Sequence, residues 1–139
     1  MNSAALQTAI VTRLGAYAAF SSKVQAIYSE SGVPQGADAS DDSAFPYAVV
    51  GPFFQSPWDT DDTDGQSVRA QVHIYSRGKS DLVWRAICDA AYDALHKHDL
   101  VISGANTVDC LFIQQTSFSD PDGKTQRAVM EFRVTYDSI

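Results

Sequence analysis

Two spacings of apolar side chains recur along the chain, one typical of helices and one typical of strands. Residues 3–20 carry Leu6, Ile10, Leu14, Tyr17 and, slightly off this stripe, Phe20 at helical spacing, and Ser3 can cap the first turn. Residues 80–97 carry a broader apolar stripe formed by Val83, Trp84, Ile87, Cys88, Ala91, Tyr92, Ala94 and Leu95. These stripes predict two amphipathic helices, and residues 23–28 are compatible with a shorter helical turn.

Strict alternation of apolar and polar positions predicts two strands that bury one face. In residues 66–77 the apolar positions are Val68, Ala70, Val72 and Ile74, and the other face carries Arg69, Gln71, His73 and Tyr75. In residues 125–136 the apolar positions are Ala128, Met130, Phe132, Val134 and Tyr136, and the other face carries Arg127, Glu131, Arg133 and Thr135. Both segments therefore predict a sheet with one face on a core and one face outside it.

Two less regular apolar runs predict the remaining strands. Residues 47–51 follow Pro46, and we expect Pro52 and Pro57 to close that segment. Residues 107–118 form the other run, and Asp120-Pro121-Asp122-Gly123 predicts a turn that joins it to the last strand as a hairpin. The element order α, β, β, α, β, β predicts an α+β fold, an antiparallel sheet of about four strands with two main helices packed on one face. We expect residues 1–139 to form a single domain.

The overall charge argues against a protein whose main task is to grip nucleic acid. The chain has 17 acidic and 10 basic residues and a net charge of −7, whereas phosphate binding requires clustered Lys and Arg. No apolar run is long enough to cross a membrane, and the N-terminal residues lack the pattern of a signal peptide. We therefore expect synthesis and folding in a cytoplasm. Cys88 and Cys110 fall in apolar patterns and are expected to be buried thiols.

The residue types that support catalysis or metal binding do not form a recognisable set. His73 lies on the polar face of a strand, and His96 and His98 are two positions apart at a helix end, so the sequence gives none of them a partner. Residues 58–65 superficially resemble a calcium loop, but Thr60 and Gln71 stand where the first and twelfth ligands belong. The sequence therefore predicts no enzyme, no cofactor and no metal. We expect Gln at any of the three histidine positions to leave the function intact.

Four segments, taken in order, resemble the tail terminator (tail completion) proteins of long-tailed phages and gene transfer agents. They are Val33–Gly36 leading to Phe45–Gly51, the loop Trp58–Gly65, the strand Val72–Arg77, and the turn Asp122–Gly123 followed by Ala128–Val134. The helix around Ile87–Leu95 also fits, so the resemblance covers nearly the whole chain. Residues 29–44 depart from it, since a shorter loop is expected there.

The resemblance implies a structural virion protein of the neck region. Such a protein caps the tail tube, ends its elongation and provides a joining surface to the head-side connector. It does so as a homohexameric ring, which the resemblance implies can form only on the assembling tail from chains that are monomeric in isolation. The implied partners are further copies of the chain, the major tail tube protein and the connector or stopper protein, with DNA passing through the lumen without specific binding. The acidic charge then either keeps DNA from adhering to the lumen or serves solubility alone. The alternatives are another neck component, such as a head-closure (stopper) protein, and more distantly an acidic binding module.

A ring needs contact surfaces that the core does not use. The candidates are the loop residues Trp58, Asp59, Asp61, Asp62 and Asp64, the strand residues Arg69, Gln71, His73 and Tyr75, and the last-strand residues Arg127 and Arg133. We expect the arginines to meet the acidic loop of a neighbouring copy, which would set the register of the ring rather than supply most of its stability.

Overall fold

The computed structural model of the chain describes residues 3–29, 45–57, 65–77, 81–121 and 123–138. Its elements in chain order are α1 (Ser3–Ala16), α2 (Ala18–Ser21), β1 (Ile27–Ser29), β2 (Tyr47–Pro57), β3 (Gly65–Arg77), α3 (Asp81–Leu95), β4 (Ala105–Ser119) and β5 (Thr125–Ser138). The predicted polar segment 29–44 and the acidic loop 58–64 lie almost entirely outside the described residues.

The described strands form one sheet in the order β1-β2-β3-β5-β4. The pairs β2–β3, β3–β5 and β4–β5 are antiparallel, as predicted. The sheet nevertheless has five strands rather than about four, and β1 pairs with β2 in parallel. The expectation of a wholly antiparallel sheet was therefore wrong at this edge.

The segment predicted to be a short helical turn contains β1 instead. The Gln25 N–H donates to the Pro46 carbonyl at 2.7 Å, and the Ala48 N–H donates to the Ala26 carbonyl at 3.0 Å. The available edge of β2 thus supplies backbone partners that a single turn of helix could not match. Ile27 and Tyr28, a β-branched and an aromatic residue, suit a strand.

The first predicted helix is interrupted at Tyr17. This residue has φ −86° and ψ 100°, an extended conformation, so α2 is a separate short helix. Phe20 would lie off the apolar stripe of a continuous helix. Because the chain breaks at Tyr17, its side chain is instead fully buried. Arg13 links α1 to α3, because its Nε donates to the Ala94 carbonyl at 2.8 Å.

The second strand runs past the proline that was expected to end it. The pairing of β2 with β3 shifts between Val50 and Phe53, which marks a bulge, and then continues to Pro57. Gly51 has φ 128°, a conformation open to glycine, and the Phe45–Pro46 and Gly51–Pro52 peptide bonds are cis. Pro52 is accommodated because the bulge interrupts the ladder where its N–H is missing.

Both major helices pack on the same face of the sheet, as predicted. Leu6, Ile10 and Leu14 of α1 join one core with Trp84, Ile87 and Leu95 of α3. The sheet contributes Val68, Ala70, Val72 and Ile74 from β3 and Ala128, Met130, Phe132, Val134 and Tyr136 from β5. The alternation predicted for both strands is therefore confirmed, since each of these side chains is at most 1% exposed.

The last helix ends in a turn that is fastened to β4. α3 spans Asp81–Leu95, and the proposed cap Ser80 lies outside the described residues. Lys97 has φ 60°, and its N–H donates to the Cys110 carbonyl at 2.7 Å. His96 stacks on Tyr92 and accepts the Phe112 N–H at 3.0 Å through Nδ1. His96 therefore has partners that the sequence did not reveal.

The predicted hairpin joins β4 to β5. Gly123, at φ 72°, donates its N–H to the Asp120 carbonyl at 3.0 Å, and the Asp120 N–H donates to the Thr125 carbonyl at 2.9 Å. Glycine is favoured here because this φ is costly for a residue with a Cβ. Both strands are longer than the sequence pattern predicted.

The two cysteines are buried, as predicted. Burial raises the pKa of Cys88 and of Cys110 to about 12, so neither thiol ionises readily at neutral pH. In the described part of the chain, no helix is long and apolar enough to cross a membrane.

Candidate interface on the open face of the sheet

Among the described residues, one face of the sheet carries no helix. This face, here called the open face, carries all six described candidate residues. Arg69, Gln71, His73 and Tyr75 project from β3, and Arg127 and Arg133 project from β5. The ladder places Tyr75 opposite Arg127 and Arg69 opposite Arg133. The sequence prediction that these residues share one face is thus realised in the antiparallel register of two central strands.

A chain of hydrogen bonds and one ion pair links four of these side chains, together with Glu131 of β5. Arg127 donates to His73 Nδ1, from Nε at 3.2 Å and from a terminal nitrogen at 3.0 Å. Because Nδ1 accepts, the proton of the neutral ring lies on Nε2, which donates to Gln71 Oε1 at 3.0 Å. Gln71 Nε2 then lies 3.4 Å from Glu131 Oε2, and Glu131 Oε1 forms an ion pair with Arg69.

The environment of His73 holds its imidazole neutral. Burial, and secondarily the positive charge of Arg127, lowers the pKa of His73 from 6.5 to about 4. Both ring nitrogens are already engaged within the chain, so the ring is poorly placed to act as a general base or a metal ligand. Among the described residues, no group of three or more His, Cys, Asp or Glu side chains could hold a metal ion.

An aromatic cluster adjoins this polar network at the β1–β2 side of the open face. Phe45, Tyr47 and Val49 pack with Tyr28 and Tyr75 as a cluster separate from the main core. Tyr47 stacks on Tyr75 with ring centroids 4.9 Å apart and planes 15° apart. Burial raises the pKa of both Tyr47 and Tyr75, which keeps their phenols protonated.

Two arginines lie against the rings of this region. The Arg77 guanidinium is 4.1 Å from the centre of the Phe45 ring, and Arg127 is 5.2 Å from Tyr75 and 5.3 Å from Phe118. Cation–π contacts of this kind hold long side chains in place at modest energy. Between these groups lies a shallow depression of about 230 Å³, lined by Tyr47, Val49, Gly51, Pro52, His73, Tyr75 and Arg127.

The arginines of the open face are not equivalent. Arg69 is paired with Glu131, and Arg127 with His73, whereas Arg133 is exposed directly opposite Arg69. Like charges at opposed positions on a ladder repel each other, and a carboxylate from outside would relieve that repulsion. The loop residues Trp58, Asp59, Asp61, Asp62 and Asp64, expected to supply such carboxylates or to anchor a neighbour, lie outside the described residues.

Sequence reasoning missed three contributors to this face. Glu131 was recognised only as a polar position, yet it is 6% exposed and sits at one end of the hydrogen-bond chain. Tyr28 was missed because residues 23–28 were interpreted as a short helical turn. Tyr47 was missed because residues 47–51 formed an unbroken apolar run that hid the alternation of Tyr47 and Val49 with Ala48 and Val50. That alternation was the available signal.

The fold and this face define the class of the protein: a small α+β domain whose open face carries the groups typical of contact surfaces, namely an ion pair and an aromatic cluster. Among the solved structures with a similar fold, two match nearly the whole of this chain. A chain in the virion of a native gene transfer agent particle superposes with a TM-score of 0.83 at 23% identity, over 99% of this chain and 98% of that one. The gp17 protein of bacteriophage SPP1 superposes with a TM-score of 0.62 at 22% identity, over 96% of this chain and 89% of that one.

The chain belongs to the tail completion protein gp17 family, whose profile matches residues 8–137. It is accordingly a structural protein of phage-type tails that takes part in virion assembly. A search of curated proteins found no match. The resemblance drawn from the sequence segments is thereby confirmed at the level of the family.

Proposed function

We propose that the chain is a tail terminator: it caps the tail tube, ends its elongation and provides the joining surface for the head-side connector. The observation that carries this proposal is the family match over residues 8–137. The similarity over nearly the whole chain to a component of a gene transfer agent virion supports it at the level of fold. The working form is a homohexameric ring around the DNA channel, assembled in the host cytoplasm and retained in the neck of the particle.

The partners follow from this position. The ring contacts the major tail tube protein on one side and the connector or stopper protein on the other. DNA passes through its lumen without specific binding. Six copies of a chain with charge −7 carry −42, a net charge that disfavours adhesion of phosphate.

The open face and the acidic loop at residues 58–64 are the surfaces we propose for these contacts. Arg133 and the partly exposed Arg69 supply positive charge on that face. Trp58, next to the acidic loop, supplies an aromatic anchor of the kind that interfaces favour. The depression bounded by Tyr47 and Tyr75 offers a place for a partner's side chain.

Deletion of the gene for this chain from the genome that encodes the particle tests the proposal. Electron microscopy should show tails of irregular or excess length that fail to join heads, and the purified chain should restore both properties. Tails of normal length attached to heads would contradict the proposal. Normal-length tails together with heads that lose their DNA would instead assign the chain to head closure, the nearest alternative.

A further inference from the structure

The depression on the open face contains a cation that has no carboxylate beside it. Arg127 is half-buried and lines this depression of about 230 Å³ together with Tyr47, Tyr75 and His73. It donates hydrogen bonds to His73, and its ring contacts are with Tyr75 and Phe118. Among the described residues, Arg127 forms no ion pair. Partial burial of an unpaired guanidinium costs free energy, and a carboxylate from another molecule would offset that cost.

The contact with His73 fixes the direction of the guanidinium without neutralising it. Arg127 presents its Nε and one terminal nitrogen to His73 Nδ1, at 3.2 and 3.0 Å. The imidazole is itself held in place, because its Nε2 donates to Gln71 Oε1 at 3.0 Å and the residue is only 7% exposed. A neutral imidazole accepts a hydrogen bond but carries no negative charge. The full charge of Arg127 therefore remains, on a side chain whose position is set.

The geometry of these hydrogen bonds leaves one edge of the guanidinium available. Of its five N–H groups, the two that face His73 lie on the edge formed by Nε and one terminal nitrogen. The other three belong to the two terminal nitrogens, and no described residue accepts a hydrogen bond from them. Two parallel N–H···O bonds from such an edge match the two oxygens of a carboxylate. Arg127 is thus positioned to bind a carboxylate through both terminal nitrogens.

The aromatic rings around Arg127 hold its plane and supply a further donor. The guanidinium carbon lies 5.2 Å from the centre of the Tyr75 ring and 5.3 Å from that of Phe118. The hydroxyl groups of Tyr47 and Tyr75 make no hydrogen bond to another described residue. Burial raises the pKa of Tyr75, against the effect of Arg127 and with a contribution from Asp120, so its hydroxyl stays protonated and able to donate. Asp120 is therefore near this ring, yet it forms no ion pair with Arg127.

We propose that this depression binds the carboxylate of a Glu or Asp side chain from another protein of the tail, with the available edge of Arg127 as its bidentate partner. The proposal rests on the function proposed above, in which the acidic loop of a neighbouring copy meets Arg69 and Arg133. Arg127 lies six positions before Arg133 on β5, a separation of about 20 Å. It therefore serves a separate contact, which we assign to a different protein.

Replacement of Arg127 tests whether the site recognises charge. Arg127→Gln and Arg127→Lys both remove the planar guanidinium from between the two rings, so a purely structural role would affect them alike. In complementation of the deletion, we expect Arg127→Gln to lower incorporation of the chain into tails by about ten-fold or more. Arg127→Lys should lower it by about three-fold or less, because it keeps the charge and loses only the second N–H···O bond. Full incorporation of Arg127→Gln, or equal exclusion of both variants, would overturn the proposal.

A cross-link of zero length identifies the occupant. A water-soluble carbodiimide joins an amine to a carboxylate in direct contact with it. In finished tails, the new amine of Arg127→Lys should become linked to an Asp or Glu residue of another tail protein, which mass spectrometry of the linked peptides would identify. Gln126→Lys is the matched control, because it places an amine one position away on the opposite face of β5 and should not link to that protein. A link to Asp120 or another acidic residue of the same chain, a link to a second copy, or no link at all would overturn the proposal.

The same tails separate this proposal from the proposed function. If the wild-type chain is missing from the tube end of finished tails, the tail-terminator function fails. If the wild-type chain is present there and tails end at normal length, while Arg127→Lys gives no link to another tail protein, the function stands and only the carboxylate site fails.

Discussion

At the scale of single residues, His73 couples the protonation state of the open face to the stability of the fold. Its pKa is about 4 in the folded chain against 6.5 for an unperturbed imidazole. Between these values the unfolded chain binds more protons, so the stability due to His73 is full above pH 6.5 and is lost as the pH falls toward 4.

Replacement of His73 by Gln tests this linkage. When the pH falls from 7 to 4.5, the free energy of unfolding of the wild type should fall by about 1–2 kcal/mol more than that of His73→Gln, as measured by urea unfolding. The variant is the control for carboxylates that titrate in the same window. Equal losses in both chains would show that His73 is not held neutral by Arg127 and burial. The sequence predicted only that Gln here leaves the function intact; the observed network adds a predicted change in the pH dependence of stability.

The two members of the Arg69–Glu131 ion pair differ in burial: the Arg69 side chain is 57% exposed and the Glu131 side chain is 8% exposed. Among the described residues, Arg69→Ala leaves a nearly buried carboxylate with Gln71 as its hydrogen-bond partner, whereas Glu131→Gln leaves an arginine that water can solvate. We expect Arg69→Ala to lower the free energy of unfolding by about 1–2 kcal/mol more than Glu131→Gln does. Urea melts at pH 7 would measure the difference, and the reverse order would contradict the assignment of burial.

At the scale of elements, two exposed glycines provide opposite predictions. Gly15 lies in α1, and Gly123 has φ +72° in the β4–β5 turn; an added Cβ would meet no atom within 4 Å at either site. Backbone conformation alone should therefore decide the outcome. Gly15→Ala should raise the free energy of unfolding by up to about 1 kcal/mol, through higher helix propensity and a more restricted unfolded chain.

Gly123→Ala should lower the free energy of unfolding by about 1 kcal/mol, because alanine is strained at positive φ. Thermal unfolding of the two variants beside the wild type checks both signs in one experiment. A stabilising Gly123→Ala would show that the turn does not hold the observed conformation.

At the scale of the whole molecule, changing the charge of the acidic segment 58–64 tests whether it forms contacts between copies of the chain. Reversal of Asp61, Asp62 and Asp64 to Lys should leave the monomer folded, because the sequence predicts a solvated acidic loop here, and charges in such a loop contribute little to stability. The same triple variant should produce overlong or unfinished tails, since the carboxylates proposed to meet Arg133 and Arg69 of a neighbour are reversed. Circular dichroism and electron microscopy of tails report the two outcomes.

A triple change to Asn is the matched control, because it removes the charge without reversing it. Its tails should be less affected than those of the Lys variant. Normal-length, DNA-filled tails from the Lys variant would remove this loop from the mechanism.

Much of the fold can be predicted from the sequence, because local periodicity identifies most of the helices and strands. The alternation from Val68 to Ile74 and from Ala128 to Tyr136 correctly predicted two strands that bury one face, and the stripe around Ile87 correctly predicted α3. Asp120 and Gly123 correctly predicted the final hairpin. In each case the residues that decide the structure are close together in the chain, so the pattern and the turn chemistry suffice.

The tertiary structure decided features that depend on partners distant in sequence. β1 exists because it pairs with the edge of β2, some 20 positions later, and the two segments exchange backbone hydrogen bonds. The break at Tyr17 occurs where Phe20 turns into the core, and β2 passes Pro52 because a bulge forms against β3. His73 received Arg127 and Gln71 as partners only when β3 and β5 came into register. Spacing along the chain determined which residues share a face; the pairing of strands determined which of them touch, because backbone and side-chain hydrogen bonds between strands join positions that no local pattern connects.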